Sequence, residues 1–299
     1  MQQWLRWNSL QFCPICCSLW RNFVKQFKVG LQLYGIRDAM EQDFDGALKA
    51  VKEMGYDYVE YAGGSHGRSW EEIRKILDKY ELTCISVHQF LDTFLDEPEE
   101  ALHQVCALGS RYCAICKHNL DNYTDRWEET MEKFLRWGKG MQEAGIKGLY
   151  HNHAFEFESI DGEYILDKIF DTVPQGLISP ELDVAWIHYG GVDPAQYVRK
   201  FAGKIDIVHL KDFACAKLPN EPVFKLVEKH GRSIIPPTRK EAGFCYLPVG
   251  SGIQDWTAIL DACEAAGAEY LVVEQDESRD CSQLEAAKKS IDYLKSVIG

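Results

Sequence analysis

The 299-residue sequence lacks several features that would decide its class at once. It has no long apolar run. The first 27 residues, rich in Trp, Phe and Cys, are broken by Pro14 and ended by Arg21, which leaves too little to span a bilayer. They also lack the longer apolar region and small-residue cleavage site of a secretory signal. They read as an appendage outside the core, or as a misplaced start. Positive charge is scarce: 33 Lys and Arg stand against 46 Asp and Glu, a net charge of -13, and no basic stripe is visible. A phosphate backbone would be repelled, so neither nucleic acid nor a membrane is expected as partner. Eleven cysteines are present, but without the spacing of a small secreted scaffold, and Cys13, Cys16 and Cys17 are followed by no second Cys or His pair at zinc-ribbon distance. Reduced thiols and a cytoplasmic location are the expectation. A glycine-rich nucleotide turn after the first strand, and a P-loop anywhere, are missing too.

What is there reads as a globular chain, with 46% apolar and 26% charged residues. From Lys28 onward, short β-branched or aromatic runs alternate with amphipathic helical stretches. The eight runs are 28–34, 56–62, 83–89, 112–118, 148–153, 178–186, 205–212 and 269–275. Between them lie stretches such as "DFDGALKAVKEMG", "SWEEIRKILDKYE", "EPEEALHQVCALG", "DRWEETMEKFLRWGKGMQEAG", "DPAQYVRKFAG" and "DWTAILDACEAAG", several of which open on capping residues and close at glycine. Successive strand starts lie 28, 27, 29, 36, 30, 27 and 64 residues apart. This repeat predicts an α/β fold, a closed (β/α)8 barrel over 28–299 with a long insertion at about 213–254. An open doubly wound sheet is the competitor, and the missing nucleotide turn argues against it.

In such a barrel, function gathers where strands end. Of nine histidines, His88, His118, His151, His153 and His209 close predicted strands, and His66 and His188 follow just beyond. Glu60, Glu156, Glu158, Asp183, Asp212, Glu274 and Asp276 collect likewise. Buried charges are costly unless paired or metal-bound, so core packing alone would scatter them. The stretch "YHNHAFEFE", residues 150–158, is the densest. Alternation points His151 and His153 to one face, and likewise His209 with Lys211 and Glu274 with Asp276. It turns Cys113 and Cys116 to opposite faces, which argues against a redox or metal pair.

"GLQLYGIRD" at the first strand, "YHNHAFEFE" at the fifth, "ELDVAW" at the sixth, "VHLKD" at the seventh, "VGSGIQDW" before the seventh helix and "VVEQD" at the eighth carry a resemblance. From Lys28 onward the chain resembles the sugar phosphate isomerase and epimerase superfamily, the xylose isomerase-like TIM barrels. These include ketose 3-epimerases, inosose dehydratases and keto-glycoside epimerases and lyases. The resemblance implies one divalent metal held by Glu156, Asp183, His209 and Glu274, with Glu158 as runner-up to Glu156. Three carboxylates and one imidazole suit Mn²⁺ first, with Mg²⁺, Co²⁺ or Zn²⁺ as alternatives.

The implied chemistry is isomerisation or epimerisation of a keto sugar or keto-glycoside, by proton removal next to a carbonyl and a metal-stabilised enediolate. A dehydratase or lyase is the alternative. The chain carries His151-Asn152-His153 where a ketose epimerase would carry its glutamate, a departure that favours an imidazole base. His153 is the expected base, with Glu274 or Lys211 as partner acid. Gln32, Tyr34, Arg37, Glu60, His88, His151, Trp186 and Lys211 are expected to line the sugar pocket. Gly250-Ser251-Gly252 is expected either to turn the chain into its helix or to cradle an anion. The insertion is expected as a lid or as a contact in a homo-oligomer. A DNA-repair endonuclease on the same barrel is disfavoured by the charge, and a non-catalytic sugar-binding subunit by the intact ligand set.

Overall fold

The computed structural model describes residues 27–116, 126–160, 162–216 and 243–298. Most of the expected appendage, His118 and most of the insertion lie outside these residues.

Eight parallel strands close into a barrel. They are β1 (Lys28–Gln32), β2 (Tyr58–Tyr61), β3 (Thr83–Gln89), β4 (Tyr112–Ile115), β5 (Lys147–His151), β6 (Ile178–Asp183), β7 (Ile207–Leu210) and β8 (Tyr270–Val273). Each is followed by a helix: α1 (Phe44–Met54), α2 (Trp70–Lys79), α3 (Pro98–Ala107), α4 (Trp127–Glu143), α5 (Ile165–Thr172), α6 (Pro194–Lys200), α7 (Trp256–Ala266) and α8 (Gln283–Ile298). The expected (β/α)8 closure is present, with β1 hydrogen-bonded to both β2 and β8.

Local chemistry sets the element ends. Ser69 and Glu72 form a reciprocal capping box on α2, and Asp43, Asp193 and Asp255 each accept the N–H three residues on at the starts of α1, α6 and α7. Gly55 and Gly267 close α1 and α7 with φ of 97° and 84°, values a side chain would resist. The amphipathic helices bury their apolar faces against the strands, with Trp137, Phe134 and Tyr150 fully enclosed between layers. Inside the barrel, Ile85, Tyr112, Leu149, Ile207, Tyr270 and Val272 fill the lower half. Polar side chains fill the upper half.

Seven of the eight predicted strands run past their observed ends, and three of these overruns bear on the site. β5 stops at His151 and β6 stops at Asp183, which caps a short helix, Val184–Tyr189, and so puts Trp186 on a helix. β7 stops at Leu210, after which Asp212–Ala214 pairs antiparallel with Cys245–Leu247 in a hairpin at the roots of the insertion. Among the described residues no disulfide forms and no helix is long and apolar enough to cross a membrane. Cys113 and Cys116 donate separately to the side chain and backbone of Gln89.

Candidate metal centre

Two tiers of ionisable groups occupy the upper barrel. The lower tier contains Glu60, His88, Glu181 and His209, all buried. His88 Nε2 stands 3.0 Å from Glu60 Oε2 and 2.8 Å from Glu181 Oε2, and His209 Nε2 stands 2.6 Å from Glu60 Oε2. Gln32 Nε2 donates to Glu60 at 2.8 Å while its own Oε1 accepts the Tyr34 N–H, so Gln32 links the β1 turn to this tier. Burial opposes the charge on His88 and His209, but the carboxylates of Glu60 and Glu181 outweigh it and hold both imidazoles well above their ordinary range. Burial alone would raise Glu60, yet His88 and His209 hold its carboxyl well below the usual range.

The upper tier contains His151, Asp183, His209 and Glu274. Ligand-capable atoms of these four lie within 4.8 Å of one another. Register explains the meeting: His151 lies beside Glu181, and Asp183 beside His209, on neighbouring strands. The carboxylate of Asp183 is divided. Its Oδ1 accepts the N–H groups of Ala185 and Trp186 at 2.8 and 3.2 Å, leaving Oδ2 facing the site without an aligned hydrogen bond. His209 Nδ1 is 2.8 Å from Glu274 Oε2, and His151 Nε2 is 3.9 Å from Asp183 Oδ2. Burial and the nearby charge of His209 push His151 well below its ordinary range, so it is neutral and offers a lone pair. Lys211, fully buried, lies 3.0 Å from Asp183, 3.1 Å from Glu274 and 3.2 Å from Asp276. Its ammonium also faces the Trp186 ring at 5.1 Å. Burial pushes Asp183 up to about 6 against the opposing pull of Lys211.

Two imidazoles and two carboxylates, with Asp183 Oδ2 turned inward, are a donor set that fits a divalent ion. Three of the four residues implied by the resemblance, Asp183, His209 and Glu274, are brought together. Glu156 is not in either ligand-capable group; His151 stands there instead. Glu156 accepts from the Tyr150 hydroxyl at 3.0 Å and the His153 N–H at 2.9 Å, and burial pushes its carboxyl up to about 8. Glu156 lies in the tight 3-10 turn Phe155–Phe157 that follows β5. Glu158 is buried at the end of that turn and is likewise in neither group.

His153 sits just above the upper tier, half-buried, with its ring 5.3 Å from that of His151 and 5.9 Å from that of Trp186. Beside it Trp186, Phe244 and Tyr246 build an aromatic wall. Tyr34 and Arg37 lie further out. The Arg37 guanidinium stacks on Tyr34 at 4.2 Å and donates to the backbone oxygens of Tyr34 and Asp276, clipping the first and last strand loops together. Gly250-Ser251-Gly252 does cradle an anion, but one belonging to the chain. Asp212 Oδ2 accepts the N–H groups of Gly250 and Gly252 and the Trp256 indole N–H at 3.0, 2.9 and 2.9 Å. His188 bonds Gln254 at 2.8 Å, and His66 packs on Phe44, both outside the metal-capable groups.

Two residues of the site escaped the sequence reading. Glu181 is two positions before Asp183, and the same alternation that paired the histidines would have placed it on the inner face. Asn152, fully buried between the two histidines, accepts the Asp183 N–H at 2.9 Å and so ties the β5 loop to β6; nothing local announces that partner 31 residues away.

Comparison with known proteins agrees with the barrel. A profile of the Xylose isomerase-like TIM barrel matches residues 48–297. The chain belongs to this family. A curated relative, the inosose dehydratase of Clostridium perfringens (strain 13 / Type A), is 26% identical over 279 residues, covering 85% of this chain and 90% of its own. A solved sugar phosphate isomerase/epimerase from Parabacteroides distasonis ATCC 8503 superposes with a TM-score of 0.73 at 21% identity, over 92% of this chain and 96% of its own. The IOLI protein, solved with a zinc atom bound, gives a TM-score of 0.67 at 14% identity, over 91% of this chain and 98% of its own. These likenesses support the barrel, and the relatives include both isomerase/epimerase and dehydratase members.

Proposed function

We propose that this chain is a divalent-metal-dependent isomerase or epimerase that removes a proton next to the carbonyl of a keto sugar or keto-glycoside. The observation that carries the reading is the convergence of His151, Asp183, His209 and Glu274 at the barrel mouth, with the half-buried His153 directly above them. Those four residues would hold the ion, which when bound supplies Lewis-acid polarisation of a substrate oxygen. Mn²⁺ remains our first choice for the two carboxylates, while the two imidazoles bring Zn²⁺ and Co²⁺ close behind. His153 takes the proton: its ring borders the aromatic wall, so a sugar lying against Trp186 presents a C–H to the imidazole. Lys211 holds a proton at Nζ between Asp183, Glu274 and Asp276 and would return one to the deprotonated carbon from its other face, which completes an epimerisation. Trp186, Phe244 and Tyr246 exclude water from that side of the site.

The second reading is elimination. It shares the proton-removal step and is favoured by the inosose dehydratase relatives and by the histidines standing where a ketose epimerase carries glutamate. The deciding experiment is metal analysis followed by deuterium exchange across ketoses, inososes and 3-keto-glycosides. Exchange with retained substrate skeleton supports isomerisation or epimerisation, exchange with an unsaturated product supports elimination, and a protein that takes up no divalent ion refutes the reading. His153→Ala should keep the ion and lose roughly 10²–10⁴ of the exchange rate; undiminished exchange would remove His153 from the role of base.

A further inference from the structure

The two ligand-capable groups overlap, because His151 and His209 belong to both. A single ion therefore has an upper place, with Asp183 and Glu274, and a lower place, with His88 and Glu181. We infer that Glu60 selects the upper place: it is a positioning residue that engages His209 Nε2 from below and so presents Nδ1 upward to the ion. The inference rests on the metal reading of the proposed function and deepens it.

An imidazole can offer only one nitrogen to a metal while the other carries its hydrogen, and the partner of that N–H fixes which is which. His209 stands between two carboxylates, with Nε2 at 2.6 Å from Glu60 Oε2 and Nδ1 at 2.8 Å from Glu274 Oε2. Glu60 Oε2 is already committed below. It accepts from Gln32 and faces the Nε2 atoms of both His88 and His209, all from fully or nearly fully buried side chains. The Glu181 carboxylate is likewise engaged by His88 at 2.8 Å. One oxygen of each lower-tier carboxylate is thus engaged by protein, while Glu60 Oε1 and Glu181 Oε1 have no hydrogen-bond partner among the described residues, and an ion there would have to displace His88. In the upper tier, Asp183 Oδ2 faces Lys211 Nζ at 3.0 Å, and its Oδ1 is pinned by backbone so that the carboxylate cannot turn away. A negative charge behind His209 also raises the basicity of the nitrogen that faces up.

Cobalt(II) titration followed by visible absorption, with chelator competition for affinity, tests this on the full chain. Asp183→Asn and Glu274→Gln should abolish or gravely weaken uptake, while His88→Gln, which leaves the upper place intact, should cost far less. Glu60→Gln should lower affinity roughly 10–100-fold and shift the absorption band, with the melting temperature of the metal-free protein as the control for folding. Should Glu60→Gln fail to fold, Gln32→Leu, which removes a donor from the Glu60 carboxylate, should weaken cobalt in the same direction. Wild-type affinity in Glu60→Gln, or in Gln32→Leu where that variant is used, overturns the inference. So does uptake lost in His88→Gln but kept in Asp183→Asn, since the ion would then lie below. A wild-type protein that binds no cobalt refutes the metal reading itself, an outcome distinct from either.

Discussion

At the scale of single residues, Glu156 is the implied ligand that stands outside both metal-capable groups. Burial pushes its carboxyl up to about 8 from an ordinary 4.5, so between those values the folded protein keeps a proton that the unfolded chain has lost. Stability attributable to this group is therefore full at low pH and falls as pH rises through that window, by up to about 1.4 kcal/mol per pH unit. Urea denaturation at pH 5 and pH 8 should show Glu156→Gln flattening the loss, with the variant more stable than wild type at the higher pH. The same variant should keep its metal; loss of metal would return Glu156 to the ligand role. Asn152 gives a second expectation. Asn152→Ala leaves the Asp183 N–H buried without its acceptor at 2.9 Å, a cost of about 1–3 kcal/mol in denaturant unfolding, together with weaker metal binding because Asp183 loses its tether.

Among the elements, the loop ends govern the site more than the strands do. β6 and the short helix after it share Asp183 as strand end and helix cap, so the residue that offers one oxygen to the site uses the other to start a helix. The turn at Gly250-Ser251-Gly252 works through Asp212 in the same economical way. A Cβ on Gly252 would come within 2.1 Å of Asp212 Oδ1 and 2.4 Å of the Phe213 carbonyl, so Gly252→Ala should cost about 1–3 kcal/mol in thermal unfolding and disturb Lys211 through its neighbour. Positions of the eight strands were legible in the sequence because each is a short apolar run between capped helices. Their ends were not, since whether Val184 continues a strand or starts a helix depends on a side-chain cap, not on hydrophobicity.

For the molecule as a whole, stability and function draw on opposite halves of the barrel. The apolar lower half and the helix layer contribute burial, while the upper half gathers Glu60, Glu181, Asp183, Glu274 and Asp276 around few cations. Such a concentration of carboxylates is costly in a dry interior and is relieved when a doubly charged ion is bound. Removing the metal with a chelator should lower the melting temperature by a few degrees, equivalent to about 2.7 kcal/mol where free metal exceeds its Kd a hundredfold, and adding the ion back should restore it. A melting temperature indifferent to metal would argue against a bound ion in the barrel.

Periodicity and capping were enough to read eight βα units in order, because hydrophobic alternation and helix ends are local properties written within a few residues of each other. Strand-end histidines and carboxylates could be read as site residues for the same reason: closure of a parallel barrel brings every strand terminus to one mouth. Which of them meet is another matter. His209 lies between Glu60 and Glu274, 149 residues before it and 65 after it, and Glu156 sits in the turn after β5, bonded to Tyr150 and the His153 N–H. Those choices depend on strand register, on the stagger of neighbouring strands and on how one loop folds over another, all of which exist only once distant segments pack together.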